Sequence, residues 1–405
     1  MKLRPAYVLL VAALVLAINN GLTFAGITVF DSALLAELGV SVGELKFRDT
    51  VLYLVAAVVA PGVGYLVDRI GAKPALIGGT LVVAGGFAAY AHVDALRHVY
   101  LIHFCLGLAL ATGGLMVSVI LVSQWFGAWR GRALGILVSG SSLGNALLPK
   151  LNAWLIDAFG WREAFLWTAL LPMLLLPLLL LLPRHPPWKS AAAAAGPEAT
   201  AAPPGQASMS YAQALRAPQF WLLGVVAFVT FYAFMGTTAN VVLHMQRDLG
   251  LPLESAANSL SILFMSAIVT KLGGGWLADR YGPRYVLIGC LLVMMAGTGT
   301  LTLMSASTVF TGVLLLGLGW GALYTMVHLL PSRLFGLEAL GKIMGTLIIF
   351  ETMGGASGPF GVGRGYDASG SYLASFAIVT GMLAVALVAA LLLRPPRQRA
   401  HGDGQ

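Results

Sequence analysis

Charge is what this chain most lacks. Only 10% of its 405 residues are charged, against about 25% in an ordinary soluble domain. Hydrophobic residues make up 58% and the mean hydropathy is +0.85. A water-soluble fold of this size needs more polar surface than such a composition supplies, so a bilayer is the solvent that suits it. Cysteine is almost absent. The two present, Cys105 and Cys290, lie inside apolar runs, which excludes a disulfide framework and a cysteine metal site. No motif of a soluble enzyme stands out, and the glycine runs do not follow a strand and open a helix, so they are not dinucleotide sites. The chain is therefore read as a non-enzyme with no cofactor and no metal. The net charge of +8 would suit a nucleic acid, but the basic residues are scattered at the ends of apolar runs, as membrane topology requires. No nucleic-acid partner is expected.

What is there is a succession of long apolar runs. A helical span needs about 20 such residues. Twelve stretches qualify, roughly 6–36, 47–67, 74–92, 98–124, 132–158, 163–183, 218–245, 256–278, 285–304, 308–334, 342–363 and 371–393. Met1-Lys2-Leu3-Arg4 before the first run resembles a signal peptide, but the run reaches no small-residue cleavage site and reads as the first span. The sequence predicts an all-α membrane protein with a six-helix bundle over residues 1–183 and a linker over 184–217. A second six-helix bundle follows over 218–394, then a tail over 395–405. The linker carries Arg184-His185-Pro186-Pro187 and an Ala/Pro/Gly-rich stretch, a flexible composition. Of the 24 Lys and Arg residues, Lys46, Arg48, Arg97, Arg162, Arg247 and Arg364 fall in loops on one side. Lys150 and Lys271 fall within spans, and the other sixteen lie on the side of the termini and linker. The positive-inside rule makes that side cytoplasmic.

The two halves repeat each other. Gly62-Val-Gly-Tyr-Leu-Val-Asp68-Arg69-Ile-Gly71-Ala-Lys73 ends span 2, and Gly273-Gly-Gly-Trp-Leu-Ala-Asp279-Arg280-Tyr-Gly282-Pro-Arg284 ends span 8. Pro149, Asp157 and Gly160 recur as Pro359, Asp367 and Gly370. Internal repeats in a membrane protein point to alternating access with a site near the midplane between the halves. The small residues permit close helix approach, and the Asp with the following basic residues can bridge to a neighbouring helix terminus. Asp68, Arg69, Asp279 and Arg280 are thus expected to form a gating latch; the plainer reading is a tight turn.

An ionisable side chain inside a span costs about 2.5–3.5 kcal/mol at the helix centre and needs a partner or a watery cavity. Lys150, Lys271 and Glu351 stand out on that criterion. Lys271 lies about 12 Å and Glu351 about 13 Å along their helices from the cytoplasmic end, both near the midplane. An ion pair between them is expected. Their counterparts in the repeat are Ala60 and Ser141, so the scaffold does not require either charge. Lys150 lies about 25 Å along span 5. It either draws anions into an outer vestibule or snorkels to the interface. Polar residues placed to orient a ligand are Asn19, Asn20, Thr112, Ser118, Tyr232 and Tyr324, of which Asn20, Tyr232 and Tyr324 are the leading substrate-binding candidates. His328, near the inner end of span 10, is a candidate proton relay or a packing residue, and His103 reads as structural.

The Gly-x-Leu-x-Asp-Arg-x-Gly-x-Lys/Arg turn, present twice, resembles the signature of the major facilitator superfamily. Trp125-Phe126, Arg130-Gly131-Arg132-Ala133-Leu134-Gly135-Ile136, Ser139-Gly140-Ser141-Ser142-Leu143-Gly144 and Phe159-Gly160-Trp161-Arg162-Glu163-Ala164-Phe165 look like the monocarboxylate and oxalate:formate transporters. So do Ala214 to Trp221 and Leu34 to Gly39. The resemblance implies the major facilitator fold and a monomeric secondary transporter of a small organic anion in a bacterial inner membrane. It also implies a cavity built in the second half from spans 7, 8, 10 and 11. Lys271 stands where those carriers hold the substrate carboxylate with an arginine, and lysine makes only a point-charge contact there. The aspartate four residues earlier is Ala267 here, and the span-1 lysine has no counterpart in Phe24-Ala25-Gly26-Ile27-Thr28. The second cation, in span 11, is replaced by the acidic Glu351. Together these predict proton-coupled transport in which protonation of Glu351 frees Lys271 to take the substrate carboxylate. The alternative is a proton-antiport exporter of drugs or metabolites. Exporters of this superfamily carry a Gly-Pro-Gly-Gly-like element in span 5, and Gly135 to Pro149 lacks it.

Overall fold

The computed structural model describes residues 3–126, 129–183, 209–336 and 338–393. Most of the expected linker, 184–208, and the tail from 394 onward lie outside them. The first bundle consists of α1 (Pro5–Leu38), α2 (Val42–Ile70), α3 (Ala72–Tyr90), α4 (Leu96–Trp125), α5 (Arg130–Phe159) and α6 (Trp161–Leu180). The second consists of α7 (Pro218–Arg247), α8 (Leu253–Tyr281), α9 (Pro283–Leu301), α10 (Val309–Phe335), α11 (Leu340–Ser369) and α12 (Tyr372–Leu392). Ten of these are long and apolar enough to cross a membrane by length and composition alone. The other two, α5 and α11, run 30 residues each. Both face the opposite half: α2 packs on α11, and α5 on α8. The α1 start, the α6 and α7 ends flanking the linker and the α12 end lie on one face, the terminal face. The other is the far face.

Two spans are not continuous helices. After Asn20, α1 passes through a π turn (Gly21–Ala25) and a 3₁₀ turn (Gly26–Phe30) before resuming at Asp31. Such interruptions mark sites where side chains must be re-aimed. Here α1 presses on α5, and a Cβ on Gly144 would sit 1.9 Å from the Ala17 carbonyl oxygen. In α4, Gly114 breaks the helix in an extended conformation.

The repeat is visible in the backbone. Gly71 and Gly282 end α2 and α8 with φ of 86° and 85°, a region that L side chains avoid. The basic residues two positions on do bridge to a neighbouring helix end. Lys73 donates to the Leu180 and Leu182 carbonyls at 2.6 and 2.7 Å, and Arg284 to those of Ala390 and Leu391 at 3.4 and 2.5 Å. Both contacts brace the terminal helix of their own half.

Two details differ from the sequence expectation, and a third bears on an alternative it left open. Lys46 and Arg48 are not loop residues. They lie in the first turns of α2, fully buried, because the helix starts at Val42 behind a capping box in which Ser41 Oγ accepts from the Glu44 N–H and Glu44 accepts from the Ser41 N–H. The end of the linker is folded as well. A short helix, Tyr211–Arg216, starts from a Ser210/Gln213 capping box and docks on the second half. There the Met209 N–H donates to the Phe335 carbonyl, and Tyr211 Oη lies 2.8 Å from Thr346 Oγ1. Lys150 lies on an exposed stripe with Leu143, Leu147 and Trp154, three- and four-residue steps along one lipid-facing side of α5. That position favours the snorkelling alternative over the vestibule.

Candidate functional site

The hydrogen bonds between the halves are concentrated toward the far face. Ser32 donates to Gln246 at 2.7 Å, Thr50 to the Ala356 carbonyl at 2.5 Å, and Ser261 to the Ala146 carbonyl at 2.5 Å. The first turn of α2 is the tightest seam. Its Val42 and Gly43 N–H groups donate to the two carboxylate oxygens of Asp367, at 2.9 and 2.8 Å, from the end of α11. With Ser41 taking the Glu44 N–H, the first three orphan donors of α2 are all satisfied. Gly43 permits this approach, since a Cβ there would lie 2.8 Å from Asp367 Oδ2. A further hydrogen bond across the halves, from Lys271 to Ser142, lies nearer the terminal face. Asp68, Arg69, Asp279 and Arg280 are exposed. Arg69 rests on the Tyr65 ring and Arg280 on Trp276 and Tyr281, and neither aspartate has an ion pair among the described residues. The bundle is thus sealed at the far face and unlatched at the terminal face.

Between the seal and the opening lies a cavity of about 230 Å³. Lys271 of α8 supplies the one charge on its wall among the described residues. Its Nζ donates to Ser142 Oγ on α5 at 3.2 Å and sits 5.3 Å from the Tyr324 ring centroid. Asn20 enters from α1 and donates to Ser141 at 3.2 Å. Asn145, one turn beyond Ser142, also lines the wall. It is 5% exposed, and its Oδ1 has no partner. Ser141, Ser142 and Asn145 were missed as site residues, although Ser141 and Ser142 end the Ser-Gly-Ser-Ser run; their i, i+1 and i+4 spacing on a helix aimed at the opposite half was the available signal.

Of the leading candidates, Lys271, Tyr324 and Asn20 come together in this cavity. Tyr232 does not. One residue away, Phe231 faces a neighbouring chamber, while Tyr232 is turned toward α11, where a Cβ on Gly361 would meet its hydroxyl at 2.2 Å. Asn19 is occupied structurally, donating to Thr80 Oγ1 and the Gly113 carbonyl. Thr112 returns its hydroxyl to the Leu108 carbonyl, and Ser118 is fully buried off the cavity wall.

Glu351 is not paired with Lys271. It lines a second chamber of about 200 Å³ that shares Tyr53 and Met235 with the first, and its neighbour is His328, whose Nε2 lies 3.6 Å from Glu351 Oε1. The expected ion pair fails because depth along a helix does not fix the direction a side chain faces. His328 Nδ1 lies 2.8 Å from the Tyr324 carbonyl. A carbonyl only accepts, so Nδ1 carries hydrogen and Nε2 is the nitrogen left to exchange a proton with Glu351. At 3.6 Å the pair is too long for a hydrogen bond, and Glu351 Oε1 has no partner. The His328 and Tyr324 rings are 4.6 Å apart. Tyr324 therefore touches both the lysine and the histidine.

A second polar cluster escaped sequence reading. Asp31, inside the first apolar run, accepts from both Lys46 and Arg48, and all three are fully buried. Lys46 also donates to the Ala239 carbonyl of α7, tying the halves. Arg48 continues to Asp49 at 3.6 Å, and Asp49 lies 3.8 Å from His103. His103, read as structural from the sequence, lies 2.9 Å from the Tyr90 hydroxyl and closes this charged network. An aspartate within a span needs a partner, and Lys46 and Arg48 are the cations nearest to it in sequence.

The Major Facilitator Superfamily model matches residues 9–359 and 223–405. The oxalate:formate antiporter of Oxalobacter formigenes is 24% identical over 336 residues, covering 82% of this chain and 77% of that protein. Monocarboxylate transporter 13 of Bos taurus is 27% identical over 329 residues, covering 78% and 72%. Among solved structures, a bacterial homolog of the human lysosomal transporter Spinster, in an inward-facing and occupied conformation, superposes with a TM-score of 0.76 at 15% identity, over 97% of each chain. At that identity the likeness is one of fold.

Proposed function

The chain belongs to the Major Facilitator Superfamily and is a membrane transporter; on that premise we propose that it carries a small organic anion by alternating access, coupled to protons. The observation behind the substrate class is Lys271. It is a cation on a cavity wall, paired with a serine hydroxyl and a tyrosine ring rather than a carboxylate. A lysine held this way needs an anion to complete it. Ser142 and Asn145 from α5 add polar contacts from the other half. The relatives named above, an oxalate:formate antiporter and a monocarboxylate transporter, support the same class.

In this reading the terminal face is cytoplasmic by the positive-inside rule, so the cavity is closed outward. Glu351 and His328 form the proton-coupling pair. A proton shared between Oε1 and Nε2 draws the pair together, and the shift reaches Lys271 through Tyr324, which touches both ends. Asp68, Arg69, Asp279 and Arg280 latch the cytoplasmic face in the opposite, outward-open state. The deciding experiment is uptake of labelled monocarboxylates into proteoliposomes. Wild-type protein accumulates substrate under an imposed pH gradient, and Lys271→Ala abolishes binding and uptake. Substrate binding indifferent to Lys271→Ala refutes the assignment.

A further inference from the structure

The lining of the Lys271 cavity narrows the substrate further. Among the described residues its wall offers one cation and no second positive group. A dicarboxylate would bring its second charge into an apolar wall, unpaired and desolvated, which is strongly disfavoured. Beside the aliphatic Leu52, Leu110, Leu115, Val138 and Met235, the wall carries a large aromatic share. Phe24, Tyr53, Phe234, Phe264, Trp320 and Tyr324 line it, contributed by α1, α2, α7, α8 and α10. All but Tyr53 form a continuous lattice. Phe24 meets Phe264 edge-on at 5.9 Å, Phe264 meets Phe234 edge-on at 6.0 Å, Phe234 stacks on Trp320 at 4.0 Å and 5°, and Trp320 leans on Tyr324 at 5.8 Å.

The six rings divide into two sets. Phe234, Phe264 and Trp320 are buried, while Phe24, Tyr53 and Tyr324 keep open surface. The buried rings hold Phe24 and Tyr324 in fixed positions, and the Tyr53 hydroxyl reaches the Met235 sulfur at 3.8 Å. Open aromatic faces at fixed positions suit a flat ring, which stacks offset or edge-on. The polar contacts are gathered on one side, where Lys271 meets Ser142 and where Asn145, buried and without a hydrogen bond, lies one turn further along α5. The volume of about 230 Å³ lies below the range of about 300–1,000 Å³ typical of drug-sized sites, so the occupant is small.

We propose that the substrate is a small aromatic monocarboxylate, its carboxylate held by Lys271, Ser142 and Asn145 and its ring seated among Phe24, Tyr53 and Tyr324. This rests on the carboxylate reading above and specifies it. The test is calorimetric binding to the purified full-length protein with benzoate, cyclohexanecarboxylate, lactate and oxalate as probes, with Lys271→Ala measured alongside. Benzoate is expected to bind at least tenfold more tightly than lactate and severalfold more tightly than cyclohexanecarboxylate, which matches it in charge and bulk but lacks the π face. Oxalate is expected to bind more weakly than either ring acid. Phe24→Leu should narrow the benzoate-to-lactate ratio at least fivefold, and Asn145→Ala should weaken all the acids together. Lactate or oxalate binding as tightly as benzoate, and lost in Lys271→Ala, overturns the aromatic assignment while leaving the carboxylate reading intact. Binding of none of the four, or binding unaffected by Lys271→Ala, sinks both. The ligand ladder on the wild-type protein decides the matter even if a variant fails to fold.

Discussion

Replacing Asp367 with alanine should open the far face. Its carboxylate accepts the Val42 and Gly43 N–H groups at 2.9 and 2.8 Å, joining α11 of one half to the N-terminus of α2 in the other. Hydrogen bonds to a charged group contribute about 1.5–3 kcal/mol each. The lower figure applies, because the Asp367 side chain is 14% exposed and Arg364 lies 3.9 Å away. Two bonds give about 3 kcal/mol in favour of the closed far face, a shift of roughly a hundredfold in the closed-to-open ratio when they are lost. Spin labels at Ala36→Cys and Glu254→Cys, exposed residues near the far ends of α1 and α8, report that opening by pulsed electron resonance, with Cys105 and Cys290 replaced. The Asp367→Ala distribution is expected to move to longer distances. Asp157→Ala is the control, since Asp157 occupies the repeat-equivalent position, is exposed and has no polar partner among the described residues. Identical distributions for wild type and Asp367→Ala would refute the reasoning, as would an equal shift in the control.

Four further outcomes follow from the same geometry. Asp31→Asn leaves Lys46 and Arg48 buried without their shared carboxylate and should cost about 3–5 kcal/mol, read as a lower unfolding midpoint in denaturant. Breaking the half-exposed Arg162–Glu37 pair should cost no more than about 1 kcal/mol. Gly144→Ala drives a methyl into the Ala17 carbonyl oxygen; overpacking of this kind costs about 1–3 kcal/mol or more, and size-exclusion chromatography should show loss of the monodisperse protein. Glu351→Gln and His328→Ala should each retain substrate binding but lose accumulation driven by a pH gradient. Gradient-driven uptake surviving in both would remove the pair from the coupling path.

Much of the scaffold was legible in the sequence because it is written twice. The turn glycines of the repeat adopt positive φ at Gly71, Gly160, Gly282 and Gly370, and Lys73 and Arg284 make the same kind of contact in each half. The approximate depth of Lys271 was legible too, since rise per residue converts position into distance. Rotation was not. Glu351 faces His328, and Tyr232 faces Gly361, because a helix turns about 100° per residue and a one-residue difference in azimuth separates a cavity wall from a packing seam. The Asp31 cluster was missed for another reason. Counting charges at the edge of an apolar run assigns them to a loop, and only the capping box at Ser41 and Glu44 shows that α2 has already begun.

Two features that the repeat does not reproduce, the far seal and the buried Glu351, share a helix. Asp367 and Glu351 both belong to α11, sixteen residues and so about 24 Å apart, one in the far seal and the other in the chamber beside the cavity. Between them lies Pro359. A proline inside a helix removes one backbone hydrogen bond and clashes with the preceding turn, which makes a kink there. Here the Pro359 carbonyl accepts from Asn240 of α7 at 3.1 Å, so the turn that holds the proline is anchored to its neighbour. In the repeat, Pro149 sits inside α5 in the same place, but Asp157 has no polar partner among the described residues and position 141 is a serine. The proline therefore belongs to the common scaffold, whereas the Asp367 contact with α2 and the Glu351 carboxylate belong to α11 alone. A change at Glu351 has a short route to the far seal: it acts on the helix whose far end holds the first turn of α2.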